Sequence, residues 1–188
     1  MLETVNNAEY LVNKSGKPTI PESVAQLKIR IGTTDYKLGI GGLHSQEKAQ
    51  TVVCDENYRL RDVDVDSFYP RIIINNKYAP KSIGDAFLEV YELELVNPRL
   101  EHKKRSNDAN LSPSERAEQK QLANSKKIVI NGLYGKLGSS YSKVYAPEMM
   151  ISVCLTGQLS LLMLIERLEL TGICLLYTSD AADDLLCV

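Results

Sequence analysis

Short runs of alternating apolar and polar residues predict strands in the first third of the chain. Leu27, Ile29 and Ile31 alternate with lysine and arginine, which is typical of a strand with one buried face. A second short strand is predicted over residues 51–54, leading towards Asp64.

A third alternating run carries a row of carboxylates. Val63 and Val65 alternate with Asp62, Asp64 and Asp66, which predicts the end of a strand with one apolar and one acidic face. Three carboxylates on one face repel one another at neutral pH unless a cation or a basic partner lies there. The pattern therefore hints at metal chemistry, and a solvated Asp-rich loop stays open as the alternative.

Helical signals follow the acidic run directly. Ser67 is a good N-cap, Pro70 is tolerated in a first turn, and residues 72–74 are all isoleucine. These features predict a helix over residues 69–76 that turns away from the carboxylates at Asp64.

Two longer helical patterns come next. The first runs over residues 83–105, and the second runs over residues 115–134 after a polar turn cluster. Ser112 or Ser114 is the expected cap of the second helix, and the glycines after it are expected to end it (Gly132, Gly135, Gly138). Two long helices joined by a short polar tip predict an antiparallel hairpin.

A strongly apolar stretch occupies residues 148–170. Polar residues interrupt it, and Glu166 and Arg167 close it short of the roughly 20 clean apolar residues that a membrane span needs. We therefore expect no membrane partner and a buried core helix, packed on the sheet behind the Asp64 strand.

Composition and charge add little for the whole chain and more for its parts. The 188 residues carry a net charge of −2 and four scattered cysteines without metal-ligand spacing, which favours reduced thiols and a cytoplasmic location. Residues 174–188 resemble the translated adapter of a sequencing library, so we expect a non-native tail there and exclude it from the fold.

The predicted hairpin is locally basic. Between Arg99 and Lys127 it has eight lysines and arginines and four acids. Arg99 and Lys103 share one face of the first helix, and a narrow arc of the second helix carries Lys120, Lys127, Asn131 and Tyr134. Such a surface can hold phosphate oxygens, with a ring available for stacking, although a solvated basic face is the alternative.

Two motifs in order resemble those of family B DNA polymerases. Residues 64–73 (DVDSFYPRII) resemble the first palm motif, and residues 127–135 (KIVINGLYG) resemble the fingers motif. Residues 99–103 match the Arg-x-x-x-Lys of the partner fingers helix, and residues 39–42 look like the Tyr-x-Gly-Gly element with glycine in place of tyrosine. The phage-encoded branch, which includes protein-primed enzymes, looks nearest.

The resemblance implies an α+β fold. We expect an incomplete polymerase palm, a short antiparallel sheet with packed helices, together with antiparallel two-helix fingers. The palm would occupy residues 35–82 and 136–173 and the fingers residues 83–135, after an unassigned N-terminal segment over residues 1–34.

The resemblance also implies roles for single residues. Asp64 would be catalytic and would bind two Mg²⁺ ions, with the Val65 carbonyl as a further ligand, because oxygen ligands suit that ion. The nucleotide would be bound by Tyr69 under the sugar, by Arg99, Lys103 and Lys127 at the triphosphate, and by Asn131 and Tyr134 at the base pair. The DNA strand would lie against Gly41, Gly42 and Gly135.

The implied function is template-dependent nucleotidyl transfer from dNTPs to a primer, in viral DNA replication in the host cytoplasm. The implied partners are primer-template DNA, dNTPs and, in the protein-primed branch, a terminal protein. Arg71 and Gly132 replace serines of the family pattern, and Asp66 is an additional acid. The later motif with the second metal-binding aspartate is absent before Ile173, so we expect this chain to be inactive alone.

Two other functions stay open. The run Asp62–Asp66 loosely resembles the nucleophile loop of haloacid-dehalogenase-type phosphatases, although residues 57–61 are too polar for the buried strand that such a loop follows. The basic hairpin could instead be a non-catalytic nucleic-acid-binding element, for which Asp64 would be dispensable.

Overall fold

The computed structural model describes residues 1–46, 51, 53–56, 59–61 and 63–173. Within these residues the chain combines helices with one small antiparallel sheet, so the broad α+β prediction is confirmed. Two short helices, α1 (Leu2–Asn6) and α2 (Glu22–Ala25), precede the sheet. The predicted tail at residues 174–188 lies outside the described residues.

The sheet has three strands in chain order, β1 (Ile29–Ile31), β2 (Thr34–Leu38) and β3 (Leu43–Ser45). In its register Ile29 lies opposite Tyr36, and Leu38 lies opposite Leu43. The predicted strand around Ile29 is thus confirmed, and it joins the N-terminal segment to the rest of the fold. The glycine-rich run at residues 39–42 forms the turn between β2 and β3.

Two strand predictions are wrong. Residues 51, 53 and 54 have no strand structure, and residues 63–65 lead into a turn without one. Val63 is 82% exposed and Val65 is 42% exposed, so the run buries no apolar face. No described strand pairs with residues 63–65, and an alternating pattern cannot form a strand without such a partner.

Helix α3 (Phe68–Asn75) begins directly after this run, close to the predicted bounds. Ser67 holds the N-cap position, but its side chain makes no capping hydrogen bond, contrary to our prediction. Its φ of 54° places it in the left-handed region, whereas a capping residue normally has extended backbone that turns its oxygen towards the helix.

The hairpin is confirmed. Its first arm runs through α4 (Asp85–Val90), a π-helical segment (Tyr91–Val96) and α5 (Asn97–Ser106), and its second arm is α6 (Pro113–Leu137). Ser112 caps α6 in a complete capping box with Glu115. Gly132 and Gly135 lie inside α6, so the prediction that they end it is wrong, and the C-cap is Gly138.

Pro98 gives a physical reason for the π-helical segment. Proline has no N–H to donate to the carbonyl four residues earlier, which here belongs to Glu94. Lys126 of α6 donates to that carbonyl at 2.9 Å instead. The irregular turn of the first arm is therefore tied to the second arm.

Helix α7 (Pro147–Leu170) is the predicted core helix. It supplies Met149, Val153 and Cys154 to a first core shared with α3 and both arms of the hairpin. It supplies Leu162 and Ile165 to a second core with α1, α2 and the sheet. Helix α7 packs on α3 and β1. We expected it to pack behind a strand at Asp64, and it instead contacts α3, the helix that follows Asp64.

By length and composition α7 would also qualify as a membrane span, alone among the described helices. Its most apolar 18-residue window has a mean hydropathy of 1.7, and 44% of that window is buried inside the chain. The buried part supplies residues to both cores.

Candidate functional site

A cavity in the described part lies between the 63–67 loop and the two arms of the hairpin. Its volume is about 570 Å³. One wall is formed by residues 63–70 and the other by residues of α5 and α6, which include Arg99, Lys103, Lys120, Lys127 and Asn131. The cavity therefore brings together the acidic run and both basic stripes.

The acidic wall is open to solvent. Asp64, Val65 and Asp66 are exposed and line the cavity, whereas Asp62 lies outside the described residues. Asp64 makes no ion pair or hydrogen bond with any residue that the structure describes. Its carboxylate is thus available to a cation or to a ligand in the cavity.

Two cations of α5 reach across to this loop. Arg99 donates a hydrogen bond to the Ser67 hydroxyl, and the Lys103 ammonium lies 2.7 Å from the Asp66 carboxylate. The two basic residues are one helical turn apart, so they contact consecutive residues of the loop. The sequence supplied no role for Asp66, and the structure identifies it as the partner of Lys103.

Helix α6 supplies the second basic stripe. Lys120, Asn124, Lys127 and Asn131 succeed one another at intervals of three or four residues and line the cavity together. Asn124 was missed, although the same helical periodicity that selected its neighbours predicts it. The stripe combines two ammonium groups with two amides, which suits an anionic ligand with hydrogen-bonding groups.

Tyr69 forms the floor of the cavity. Its side chain lines the cavity although the residue is only 5% exposed. Its ring centroid is 5.2 Å from that of Tyr134, and its hydroxyl donates to the Gly41 carbonyl at 2.9 Å. The position of this ring is thus fixed by packing on one side and by the glycine-rich turn on the other.

Tyr134 itself does not line the cavity. The residue is 6% exposed, and its hydroxyl shares a hydrogen bond of 2.7 Å with the Cys154 thiol. Burial, with the neighbouring Cys154 and Tyr69, raises the pKa of Tyr134 well above its ordinary value. Its ring supports Tyr69 from below and is not available for stacking in this structure.

The three glycines expected at DNA do not line the cavity either. Gly135 is exposed on α6, and a Cβ added there would meet nothing within 4 Å. Gly42 is buried and Gly41 is half-buried in the turn beside Tyr69. These residues are therefore outside the group that the cavity unites.

The glycine-rich turn is held by polar side chains of α7. Gln158, 1% exposed, accepts from the Gly39 N–H at 3.0 Å and donates to the Gly39 carbonyl at 2.8 Å. The Cys154 thiol donates to the Ile40 carbonyl at 3.1 Å. A Cβ at Gly39 would lie 2.7 Å from the His44 ring and 2.9 Å from the Gly42 carbonyl, and the backbone contact favours glycine there. Gln158 was missed because its partner is 119 positions away in sequence.

The cavity offers oxygen ligands for a hard cation. Asp64 and Val65 line the cavity, and a carboxylate and a backbone carbonyl are oxygen ligands of the kind that Mg²⁺ prefers. Among the described residues there is no group of three or more His, Cys, Asp or Glu side chains placed to hold a metal.

Comparison of the chain with protein-family models, curated proteins and solved structures finds no match.

Proposed function

We propose that this chain is the palm and fingers part of a family B DNA polymerase. Such an enzyme would carry out template-dependent nucleotidyl transfer from dNTPs to a primer in viral DNA replication. The observation that carries the proposal is that Asp64 shares one cavity with Arg99, Lys103 and Lys127. The motif resemblance assigned these four residues to one reaction although up to 63 positions separate them. A cavity of about 570 Å³ is also in the size range of small-molecule sites.

The cations would act on the triphosphate. Arg99 and Lys103 reach the cavity from α5 and Lys127 from α6, so a triphosphate between the helices would be neutralised from two sides. Negative charge builds up on the leaving pyrophosphate during nucleotidyl transfer, and fixed cations lower the free energy of that state. The two-armed arrangement suits an elongated anion better than a single phosphate.

The acidic loop would hold the metal. Asp64 and the Val65 carbonyl are the proposed Mg²⁺ ligands. When bound, the ion supplies activation of the primer hydroxyl and neutralisation of phosphate charge. The complete enzyme would hold two ions, whereas the described residues bring two acids to the cavity, Asp64 and Asp66, and Asp66 is paired with Lys103. We therefore expect no primer extension by the 188 residues in an assay with Mg²⁺ and all four dNTPs.

The remaining residues would shape the nucleotide site. Tyr69, fixed by its bond to Gly41, would lie under the deoxyribose and exclude a 2′-hydroxyl. Asn131 lines the cavity beside Lys127 and would face the base pair. Tyr134 would act through the ring of Tyr69, which it supports.

The alternatives receive less support. A phosphatase-like hydrolase with Asp62 and Asp64 would be favoured if the basic helices pointed away from the acid, but Arg99, Lys103 and Lys127 line its cavity. A non-catalytic hairpin requires no relation between Asp64 and those cations, so the shared cavity favours the polymerase.

Template-dependent nucleotide binding tests the proposal without requiring turnover. Calorimetric titration of dNTPs into the chain bound to a dideoxy-terminated primer-template should give tighter binding of the complementary dNTP. Lys127→Ala should weaken it by about tenfold or more, the usual cost of losing a charged hydrogen bond. Lys136→Ala is the matched control, because Lys136 is exposed on α6 but does not line the cavity.

Equal affinity for complementary and non-complementary dNTPs would contradict the proposal. An equal effect of Lys127→Ala and Lys136→Ala would also contradict it, since the binding would then depend on the overall charge of the helix.

A further inference from the structure

Helix α5 of the hairpin contacts two consecutive residues of the 63–67 loop. The Asp66 carboxylate lies 2.7 Å from the Lys103 ammonium, and the Ser67 hydroxyl accepts a hydrogen bond from Arg99. Both cations that α5 presents to the cavity are thus already engaged by the loop. The two lysines that α6 presents to the cavity differ from them.

Lys120 and Lys127 line the same cavity from α6. Neither makes an ion pair or a side-chain hydrogen bond with another residue in the described part of the chain. Helix α6 therefore presents two cations without a counter-charge, whereas α5 presents Lys103 already paired with an acid.

The Asp66–Lys103 pair is of a kind that a stronger anion can displace. The two side chains are 46% (Lys103) and 53% (Asp66) exposed, so water screens their attraction and the pair contributes little stability. A phosphate oxygen and a carboxylate oxygen bind an ammonium group in the same way, and a triphosphate carries more charge than one carboxylate.

We propose that Asp66 is an internal competitor for phosphate at Lys103. In the chain without nucleotide the Asp66 carboxylate is paired with the Lys103 ammonium group. A triphosphate that spans the two helices displaces the carboxylate. Asp66 thereby sets the affinity for the triphosphate. This inference rests on the proposed function, because it takes Lys103 as a triphosphate-binding residue.

Inorganic tripolyphosphate is the direct probe, because it has neither base nor sugar. In calorimetric titrations with EDTA present, Asp66→Asn should bind it about two- to five-fold more tightly than the unmodified chain, the range set by an exposed ion pair. Asp35→Asn is the matched control. Asp35 is also paired, with Arg30 at 3.5 Å, but it lies on β2 and does not line the cavity. The control should leave the affinity unchanged.

A second comparison separates competition from general repulsion. In a Lys103→Ala background the further change Asp66→Asn should give no gain, because the contested ammonium group is gone. A gain of the same size in that background would overturn the proposal. Weaker binding by Asp66→Asn, an unchanged affinity, or no binding of tripolyphosphate would overturn it as well.

The outcomes also separate this inference from the proposed polymerase function. A gain with tripolyphosphate together with no preference for the complementary dNTP would leave the competition at Lys103 intact and remove the polymerase assignment. Template-dependent dNTP binding that Asp66→Asn does not change would leave the polymerase assignment intact and remove the competition at Lys103.

Discussion

Burial of Tyr134 makes the stability of the fold sensitive to alkaline pH. Desolvation, followed by the effects of Cys154 and Tyr69, raises its pKa well above 10. Burial also raises the pKa of Tyr91. The folded state therefore keeps these protons at a pH where the unfolded chain loses them.

The sign of the pH effect follows from this difference. Below about pH 10 both states are protonated and the tyrosines do not alter the free energy of unfolding. As the pH rises above 10 towards the folded-state pKa, the unfolded chain is stabilised by deprotonation and the free energy of unfolding falls. Tyr134→Phe should make this fall shallower, by at most about 1.4 kcal/mol per pH unit.

Urea unfolding between pH 8 and pH 11 measures this effect. Tyr141→Phe is the control, because that ring is 99% exposed, and it should keep the pH dependence of the unmodified chain. A Tyr134→Phe variant with the slope of the unmodified chain would show that the hydroxyl is not protected by burial.

The site residues divide into those that local periodicity predicts and those that it cannot predict. Arg99 and Lys103, or Lys120 and Lys127, share a helix face because of their spacing, so the sequence alone placed them together. The Asp66–Lys103 pair and the Gln158–Gly39 bonds join residues 37 and 119 positions apart. Such pairs depend on how the elements pack, which spacing does not encode.

At the scale of elements, a capping box fixes where α6 begins, at the tip of the hairpin. The Ser112 hydroxyl accepts from the Glu115 N–H at 3.3 Å, and Glu115 accepts from the Ser112 N–H at 2.9 Å. The Ser112 hydroxyl also donates to the Glu115 carboxylate at 2.6 Å, and this bond, followed by the one from the Ser112 N–H, lowers the pKa of Glu115. The stabilisation is present above the ordinary pKa of glutamate and is lost as the pH falls through the lowered value.

Ser112→Ala should lower the free energy of unfolding by about 1 kcal/mol, the usual cost of losing a serine N-cap. Ser114→Ala, one residue into the exposed first turn of α6, should change it little. Urea denaturation at pH 7 compares the two variants. Equal losses would show that the capping box does not contribute to the stability of the hairpin.

Elements with a strong local signal were predictable, and elements that need a partner were not. The hairpin and α7 follow from helical periodicity, caps and length. The expected strand at Asp64 failed because its alternating residues have no described neighbouring strand and no core beneath them. The π-helical segment could have been suspected from Pro98, which interrupts an otherwise helical pattern.

At the scale of the whole molecule, α7 connects the sheet to the cavity. Its first half packs in the core beneath Tyr69 and Tyr134, and its second half packs in the core beneath the sheet. Cys154 and Gln158 of the same helix fix the glycine-rich turn. The sequence predicted a buried helix here but not that it would serve two cores, because that depends on both neighbours.

The central claim is that one ligand bridges Asp64, through a divalent cation, and the cations of the hairpin. Titration of dATP into the chain and its Asp64→Asn variant, with EDTA and then with Mg²⁺, tests this most directly. With EDTA the variant should bind dATP more tightly, because a negative charge facing the triphosphate is removed. With Mg²⁺ it should bind about tenfold more weakly, because a charged ligand of the bridging cation is lost. Asp85→Asn, an exposed acid outside the cavity, should match the unmodified chain in both conditions. A change in the same direction under both conditions, or none, would contradict the account.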